Sequence, residues 1–209
     1  MVTKLDLSSD ECEVLPKSSK AIIFDCFGVL VTSARNKFKN DFPEFKIQID
    51  DLGHQSDYGL ISRQQFNDSL AELFGMTSEA VDSLYWGSSV KDETAIDWVR
   101  QLKSSGKYKI GMLSNVGFGF FNKFFSESEQ KELFDEVVLS SDVGIAKPEV
   151  MIFELIAQRM GVNPSQCIMI DDTAINIEAA GNVGMQGILC VSTVQAMSDL
   201  DRLLESDRA

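Results

Sequence analysis

The sequence predicts an α/β fold in which a parallel β-sheet is covered by helices on both faces. Five short runs of residues have the length of strands and are almost wholly apolar, as expected for strands that are buried on both sides. Helical patterns separate the later runs, as they do where helices connect parallel strands. The strands are expected at about residues 20–26, 108–115, 136–140, 166–171 and 186–191.

The helices of this predicted core have recognisable ends. Pro148 suits the first position of a helix, and Gly161 suits the residue just past the end of the same helix. Ser192 and Gln195 have the spacing of a capping box for the last helix. The helices are expected at 92–104, near 117–125, at 148–160, at 173–183 and at about 193–206.

About sixty residues between the first strand and the helix at 92 contain helical patterns and no convincing strand. One of these helices begins with a predicted capping box of Ser62 and Gln65, flanked by Ile61 and Phe66 in the positions of a hydrophobic staple. The insertion directly follows the strand that carries Asp25. Sites in open parallel sheets form at the carboxyl ends of strands, so we expect the insertion to lie over a site as a lid.

Composition excludes several classes of function. The chain has 209 residues and a net charge of −13, which argues against a nucleic-acid backbone as partner. It has no run of 18 apolar residues, so no membrane span is expected, and its start lacks the pattern of a signal peptide. The cysteines show no metal-type pairing such as C-x-x-C and fit reduced thiols in a cytoplasmic protein. They are Cys12, Cys26, Cys167 and Cys190.

Reactive or anion-binding side chains stand at four places where predicted strands end or helices begin. The first is Asp25, which ends the run "AIIFD". A lone aspartate there is often a turn former. However, the following "CFGV" offers no helix to cap, and a buried charge needs a partner or a role. A carboxylate in this position can act as a nucleophile that takes an acyl or phosphoryl group.

The second and third places supply groups that bind anions. Ser114 and Asn115 follow the second strand, where they form either a simple turn or a hydroxyl and N–H group that donate to an anion. Lys147 precedes a predicted helix start. A lysine is most often a surface residue, but a cation beside a helix N-terminus would favour a bound phosphate or carboxylate.

The fourth place is the adjacent acid pair Asp171 and Asp172 at the end of "CIMI". Capping of the next helix explains one of these acids but not both, and two adjacent carboxylates repel each other. Mg²⁺ suits such a pair because it takes carboxylates, waters and substrate oxygens as ligands. Asn176 lies four residues beyond Asp172, and we expect it to brace that carboxylate.

Together these motifs resemble those of the haloacid dehalogenase (HAD) superfamily of aspartate-nucleophile hydrolases, in its phosphatase-like branch. The similar segments are "IIFDCFGVL", "GMLSN", "GIAKPEVMIFE" and "IMIDDTAINIEAAGNVGMQGI". The resemblance extends over nearly the whole chain from about residue 20. It implies a polar tail at 1–18, a Rossmann-like, doubly wound core at 19–32 and 92–209, and a small helical cap of the C1 type at 33–91.

The resemblance also implies roles for individual residues. Asp25 would be the nucleophile that becomes an aspartyl-phosphate, and Ser114, Asn115 and Lys147 would bind the phosphate. Mg²⁺ would be held by Asp25, by the backbone carbonyl of Phe27 and by Asp172, with Asp171 as a direct or indirect ligand. The substrate would be a small phosphorylated metabolite.

Phe27 departs from the family's phosphatase pattern, in which this position is an aspartate that serves as general acid and base. Such assistance contributes about 10²–10⁴-fold to the rate. Three alternatives remain. The first is a phosphatase whose substrate has a good leaving group, such as an acyl phosphate or an anomeric sugar phosphate. The second is a 2-haloacid dehalogenase-like enzyme, which carries an aromatic residue here, and the third is a slow or inactive module that binds a phospho-ligand or a protein. The acid pair favours the first alternative, because the dehalogenases need no metal.

Four further residues receive weaker predictions. Strand alternation turns Cys26 away from the nucleophile and into the core. His54 in the insertion is a candidate for activating water, although a lone histidine is more often a surface residue. Arg63 is a candidate for contacting the substrate, and Phe118 is a candidate for lining the site.

Overall fold

Five parallel strands form one sheet in the order β3-β2-β1-β4-β5. The computed structural model describes residues 21–206 apart from the side chain of Trp86, so the predicted tail at 1–18 and Cys12 lie outside the described residues. All five predicted strands are confirmed, each with one or both ends one or two residues shorter than predicted. They are β1 Ala21–Phe24, β2 Lys109–Ser114, β3 Glu136–Leu139, β4 Cys167–Asp171 and β5 Gln186–Leu189.

Helices occupy the insertion and both faces of the sheet. Those of the insertion are α1 Ala34–Asp41, a 3₁₀ turn Pro43–Phe45, α2 Lys46–Asp57, α3 Arg63–Phe74 and α4 Ser78–Gly87. The others are α5 Glu93–Ser104, α6 Phe121–Phe124, α7 Glu127–Leu133, α8 Ser140–Val143, α9 Val150–Met160, a 3₁₀ turn Pro164–Gln166, α10 Ala174–Asn182 and α11 Thr193–Ser206. Within residues 21–206, no helix has the length and apolar character needed to cross a bilayer.

The alternation of side chains along β1 explains why the sheet is covered on both faces. Ile22 and Phe24 point to one side, where they join the apolar side chains of α5 and α11. Ala21 and Ile23 point to the other side and pack with α9 and α10. A strand that is buried on both faces must be apolar at every position, and this produces the run "AIIF". The predicted fold class is confirmed.

The four inserted helices pack around a separate apolar cluster, to which Val116 and Phe120 from outside the insertion also belong. Phe38 lies at its centre, with its ring 5.7 Å from that of Phe74 and 5.6 Å from that of Tyr85. The two chain crossings of the insertion are hydrogen-bonded to each other: the N–H of Thr32 donates to the carbonyl of Val90 at 2.9 Å, and the N–H of Val90 donates to the Thr32 hydroxyl at 2.8 Å. The domain boundaries at 33 and 91 stay a prediction.

Some predicted helix ends are confirmed and one is wrong. Ser62 forms its capping box with Gln65, and Gly161 adopts the left-handed conformation after α9 with φ of 63°. Pro148 is not a first helical residue, since α9 begins only at Val150. The N–H of Glu149 donates to the carbonyl of Ala146 at 2.9 Å, so residues 146–149 form a turn before the helix.

Two other helical predictions are only partly right. The Phe-rich stretch 117–125 is helical only over Phe121–Phe124. A separate helix, α7, follows it and starts with a capping box of Ser126 and Glu129. At the last helix, the N–H of Gln195 donates to the Ser192 hydroxyl at 3.3 Å, but the Gln195 side chain accepts from Val191 rather than from Ser192.

Candidate active site

The strand order places the predicted site residues side by side. Asp25 directly follows β1, Ser114 ends β2 and Asp171 ends β4, and β1 lies between β2 and β4 in the sheet. The chain leaves β1 towards the insertion, and the crossover directions of the sheet change between β1 and β4. Crevices at such switch points, at the carboxyl ends of strands, are the usual ligand sites of open α/β sheets.

Lys147 lies at the centre of this cluster and is buried, with its side chain 1% exposed. Its ammonium donates to Asp25 Oδ1 at 2.8 Å, to Asp171 Oδ2 at 2.6 Å and to the carbonyl of Leu113 at 3.0 Å. The alternative of a surface lysine is therefore excluded. Helix α9 begins three residues after Lys147, at Val150, so Lys147 does not lie beside the first turn of a helix. It acts through its side-chain contacts instead.

Asp171 is fully buried, and its two oxygens are surrounded by donors. Besides Lys147, it accepts from the N–H of Thr173 at 2.8 Å and from the Asn176 amide at 3.0 and 3.1 Å. The prediction that Asn176 braces Asp172 is therefore wrong. The neighbouring acid Asp171 points into the protein and needs the donors, whereas Asp172 lines the cavity and is partly solvated.

Asp172 is accommodated by a glycine whose role the sequence did not reveal. A Cβ atom at Gly28 would lie 2.1 Å from Asp172 Oδ2, and the φ of Gly28 is 101°. Both the space and the backbone conformation therefore require glycine at this position. The only signal in the sequence is the spacing of three residues between Asp25 and this glycine.

The charges of the cluster are unbalanced. One carboxylate oxygen from each of Asp25, Asp171 and Asp172 lies within 4.8 Å of the others, and the one ammonium among them is that of Lys147. Burial raises the pKa of Asp25 to about 7, because the opposing effect of Lys147 is countered by the other two carboxylates. Burial and Asp171 likewise raise the pKa of Asp172. Burial lowers the pKa of Lys147, but Asp25 and Asp171 outweigh it and the net shift is upward. The three carboxylates are close enough to share a cation.

Ser114 and Asn115 differ in what their side chains contact. The Ser114 hydroxyl is fully buried and has no hydrogen-bond partner among the described residues. A buried hydroxyl without a partner costs free energy, so a ligand oxygen placed there would be stabilised. The Asn115 side chain instead accepts from the N–H of Lys147 and donates to its carbonyl, both at 2.8 Å. It thereby holds the backbone of Lys147 in place, and its predicted binding of phosphate stays a prediction.

A cavity of about 380 Å³ lies between this cluster and the insertion. Its wall on the insertion side carries two ion pairs that the sequence did not reveal. The guanidinium of Arg35 donates twice to Asp57, at 2.8 Å each, and Lys39 contacts Asp50 at 2.9 Å. Arg35 lies on α1 and Asp57 lies on α2. No motif had identified these two helices, so no signal in the sequence connected the two residues to the site.

Phe27 and His54 lie on the cavity wall, whereas Arg63 does not. Phe27 lines the cavity and packs edge-to-face on Phe124, with ring centroids 5.7 Å apart. His54 is exposed and also lines the cavity, and its role in activating water stays a prediction. Arg63 is not part of the lining, because it pairs with Asp82 and covers the ring of Phe120.

Two further candidates are placed by packing. Phe118 does not line the cavity, because its ring covers Gly59 at the protein surface, where it is 45% exposed. Cys26 is fully buried in the apolar cluster on one face of the sheet, which confirms the prediction that it belongs to the core.

Comparison with known proteins gives one family and several relatives. A family model described as haloacid dehalogenase-like hydrolase matches residues 19–184. The chain is 24% identical over 196 residues to the sesquiterpene phosphatase astK of Aspergillus oryzae, with 88% of this chain and 96% of the relative covered. It is 26% identical over 186 residues to the D-ribitol-5-phosphate phosphatase of Bacteroides thetaiotaomicron, with 80% and 89% covered.

One solved structure is similar over most of its length. It is the HAD family enzyme bt-2542 of Bacteroides thetaiotaomicron in complex with magnesium and inorganic phosphate, with a TM-score of 0.69 and 25% identity. The match covers 82% of this chain and 93% of that one.

Proposed function

The chain belongs to the haloacid dehalogenase-like hydrolases, and from this membership and the buried acid–lysine cluster we propose that it is a Mg²⁺-dependent phosphatase. The substrate class is a small phosphorylated metabolite with a good leaving group, which transfers its phosphoryl group to Asp25. The two phosphatase relatives and the neighbour bound to magnesium and phosphate support this reaction class. Because the substrates named for the two relatives differ, neither is carried over to this chain. A cytoplasmic location stays a prediction, supported by the free, buried thiols of Cys26, Cys167 and Cys190.

The observation that carries the proposal is the unpartnered hydroxyl of Ser114 at the strand end beside Asp25. Hydroxyl groups that are fully buried normally have a partner, and none of the described residues supplies one to Ser114. A phosphoryl oxygen would accept a hydrogen bond from Ser114. The same phosphoryl group would be close to the ammonium of Lys147, which offsets its negative charge.

The carboxylate cluster fits Mg²⁺. Three carboxylates against one ammonium leave two negative charges when all are ionised, and a divalent cation would neutralise them. Asp25, Asp172 and the carbonyl of Phe27 would hold the ion. Asp171 is occupied by Lys147, Thr173 and Asn176, so we assign it the indirect role of holding Lys147 against Asp25. When bound, the ion would supply positive charge to the phosphoryl oxygens and lower the pKa of Asp25.

Each of these residues has its own role in phosphoryl transfer. Asp25 attacks the phosphorus atom, and the bond from phosphorus to the leaving oxygen breaks. Lys147 and Ser114 stabilise the charge on the equatorial oxygens during this step. Water then attacks the aspartyl-phosphate and releases inorganic phosphate. Asn115 contributes by fixing the backbone of Lys147, since it makes two hydrogen bonds to that residue.

A dehalogenase-like activity is the second candidate, and Phe27 is the observation that favours it. A halide leaves without a proton, so an aromatic residue at this position is compatible with the attack of Asp25 on a carbon–halogen bond. A site without metal would leave Asp172 without a cation among the described residues, and for this reason we rank this candidate below the phosphatase.

Phosphate release from a panel of phosphate monoesters and acyl phosphates tests the proposal. We expect turnover with Mg²⁺, at least a 10³-fold loss with EDTA, and no turnover by Asp25→Asn. Activity that is unchanged by EDTA or by Asp25→Asn would contradict the proposal. Chloride release from a 2-chloroacid in the presence of EDTA would favour the dehalogenase instead.

A further inference from the structure

The reaction needs a group that accepts a proton from water, and for poor leaving groups also a proton donor, which position 27 does not supply. An alkoxide leaving from phosphorus must be protonated, and the water that cleaves the aspartyl-phosphate must lose a proton. The ring of Phe27 packs against Phe124 and offers no titratable group. If the enzyme handles leaving groups that need a proton, the donor must come from another part of the cavity wall.

The acidic groups on the insertion side of the cavity are already engaged. Both oxygens of Asp57 accept hydrogen bonds from the guanidinium of Arg35. The guanidinium therefore occupies the positions that the proton of a carboxylic acid would take. Asp50 pairs with Lys39 at 2.9 Å. Protonation of either carboxylate would break an ion pair within the insertion, so we assign the proton transfer to neither of them.

The two tyrosines of the cavity are also poor candidates. The hydroxyl of Tyr58 donates to Glu149 at 2.6 Å, and this hydrogen bond together with burial raises the pKa of Tyr58. Burial raises the pKa of Tyr85 to about 12, since the opposing effect of Arg35 is smaller. Neither phenol exchanges a proton readily in the range where Asp25 is ionised.

His54 remains, and α2 places it on the cavity wall. The residue is exposed, and within residues 21–206 its imidazole has neither a hydrogen-bond nor an ion-pair partner. The end of α2 is fixed to the core: the Ser140 hydroxyl donates to the carbonyl of Asp57 at 2.6 Å and accepts from the N–H of Val116 at 3.0 Å. Val116 is two residues beyond Ser114, and His54 lies about 4.5 Å before Asp57 along the helix axis.

We propose that His54 is the general acid and base of this site, in place of the aspartate that Phe27 displaces. This inference rests on the proposed phosphatase function. In the first step, Asp25 bonds to phosphorus, the bond to the leaving oxygen breaks, and the imidazolium gives its proton to that oxygen. In the second step, the neutral imidazole takes a proton from water, the hydroxide oxygen bonds to phosphorus, and Asp25 leaves as a carboxylate.

The variant His54→Gln tests the proposal with two substrates, an alkyl phosphate and an acyl phosphate. The value of kcat/KM reports the steps up to formation of the aspartyl-phosphate. We expect it to fall about 10²-fold or more for the alkyl phosphate and less than about threefold for the acyl phosphate, whose carboxylate leaves without a proton. With the acyl phosphate, kcat should fall, and a burst of one product per enzyme should show that the aspartyl-phosphate accumulates.

Two controls separate chemistry from folding. Gln48→Ala changes an exposed side chain of the same helix outside the cavity lining and should alter neither substrate's rate. Adding Phe27→Asp to His54→Gln should restore the alkyl phosphate reaction at least tenfold, because it returns a carboxyl group to position 27.

The results of this experiment distinguish a failure of the His54 assignment from a failure of the phosphatase function. Equal losses of kcat/KM for both substrates, or no loss for the alkyl phosphate, would overturn the assignment of His54 while the phosphatase function stands. A wild-type protein that releases phosphate from neither substrate would overturn the proposed function and this inference with it.

Discussion

The catalytic cluster of the core and the ion pairs of the insertion distribute charge differently. The catalytic cluster comprises Asp25, Ser114, Lys147, Asp171 and Asp172, and here a single ammonium serves three carboxylates. In the insertion, Arg35 pairs with Asp57 and Lys39 with Asp50, so each cation has one acidic partner on a neighbouring inserted helix. The catalytic cluster carries excess negative charge that a ligand can neutralise, whereas each of the two ion pairs of the insertion is neutral.

This difference indicates a division of labour. Burial, with a smaller effect of the neighbouring carboxylates, raises the pKa of Asp25 to about 7. The excess negative charge makes the core responsive to a cation and to a phosphoryl group. Although burial opposes the charge of Arg35, Asp57 raises the pKa of that guanidinium above its ordinary value, so the pair is electrostatically satisfied without a ligand. We infer that the core forms the aspartyl-phosphate, and that the insertion shapes the cavity and supplies His54.

The largest effect on stability is expected for Lys147→Met. This change leaves Asp25 and Asp171 buried beside each other without their ammonium. Removing one partner of a buried ion pair costs about 3–5 kcal/mol, so the free energy of unfolding should fall by that amount. Urea denaturation at pH 8 in EDTA measures it.

Lys39→Met is the matched control for Lys147→Met in the insertion. The side chains of Lys39 and Asp50 are 22% and 38% exposed, and an exposed pair contributes about 0–1 kcal/mol. A loss below about 1 kcal/mol for Lys147→Met, or equal losses for both variants, would contradict the comparison.

The next largest effect is a gain in stability on replacing Asp25 with Asn. The folded-state pKa of Asp25 is about 7, above the unfolded value of about 3.9. Between these two values the folded protein binds more protons, so the contribution of Asp25 to stability falls as pH rises from about 4 to 7. Asp25→Asn removes this dependence and should stabilise the metal-free protein by about 4 kcal/mol at pH 8.

Unfolding curves in EDTA at pH 5 and pH 8 measure the effect of Asp25→Asn. The advantage of the variant should be much smaller at pH 5, where the folded wild-type protein holds the proton on Asp25. An advantage that is equal at both pH values, or larger at pH 5, would show that the burial of Asp25 does not penalise its charged form.

The catalytic cluster could be predicted from the sequence because strand ends converge by topology. Once "AIIFD", "GMLSN" and "CIMIDD" are recognised as parallel strands, their terminal side chains must meet at one edge of the sheet. The direction of each side chain could not be predicted in the same way. Asn176 bonds Asp171 and not Asp172, because which of two adjacent acids faces inward depends on packing behind β4.

The insertion was less predictable because its helices contact residues that are distant in sequence. The helix α3 could be identified from its capping box of Ser62 and Gln65. The helix α2 has no side-chain cap, and α1 has only Ser33. Arg35 and Asp57 are 22 residues apart and meet only through the packing of these two helices, so no local pattern relates them.

A smaller loss of stability is expected for Arg35→Met. Asp57 is 3% exposed and would lose both hydrogen bonds from the guanidinium. Because the Arg35 side chain is 24% exposed, water can replace part of this contact, and we expect the free energy of unfolding to fall by about 2 kcal/mol. Urea denaturation of Arg35→Met and of the double variant Arg35→Met/Asp57→Leu tests this, since the double variant should recover most of the loss. A double variant that is less stable than the single one would contradict the ion-pair explanation.

The smallest effect is expected for Tyr58→Phe, at a contact between the two regions. The hydroxyl of Tyr58, at the end of α2, donates to Glu149, two residues after Lys147, at 2.6 Å. The contact is exposed, so its loss should lower the free energy of unfolding by no more than about 1 kcal/mol. Since it joins the insertion to the core, its loss should raise KM about two- to threefold while kcat changes less. Glu149→Gln keeps an acceptor oxygen and should show about half of each effect. A loss above 2 kcal/mol for Tyr58→Phe would mean that this surface contact, and not only the buried cluster, determines the stability of the core.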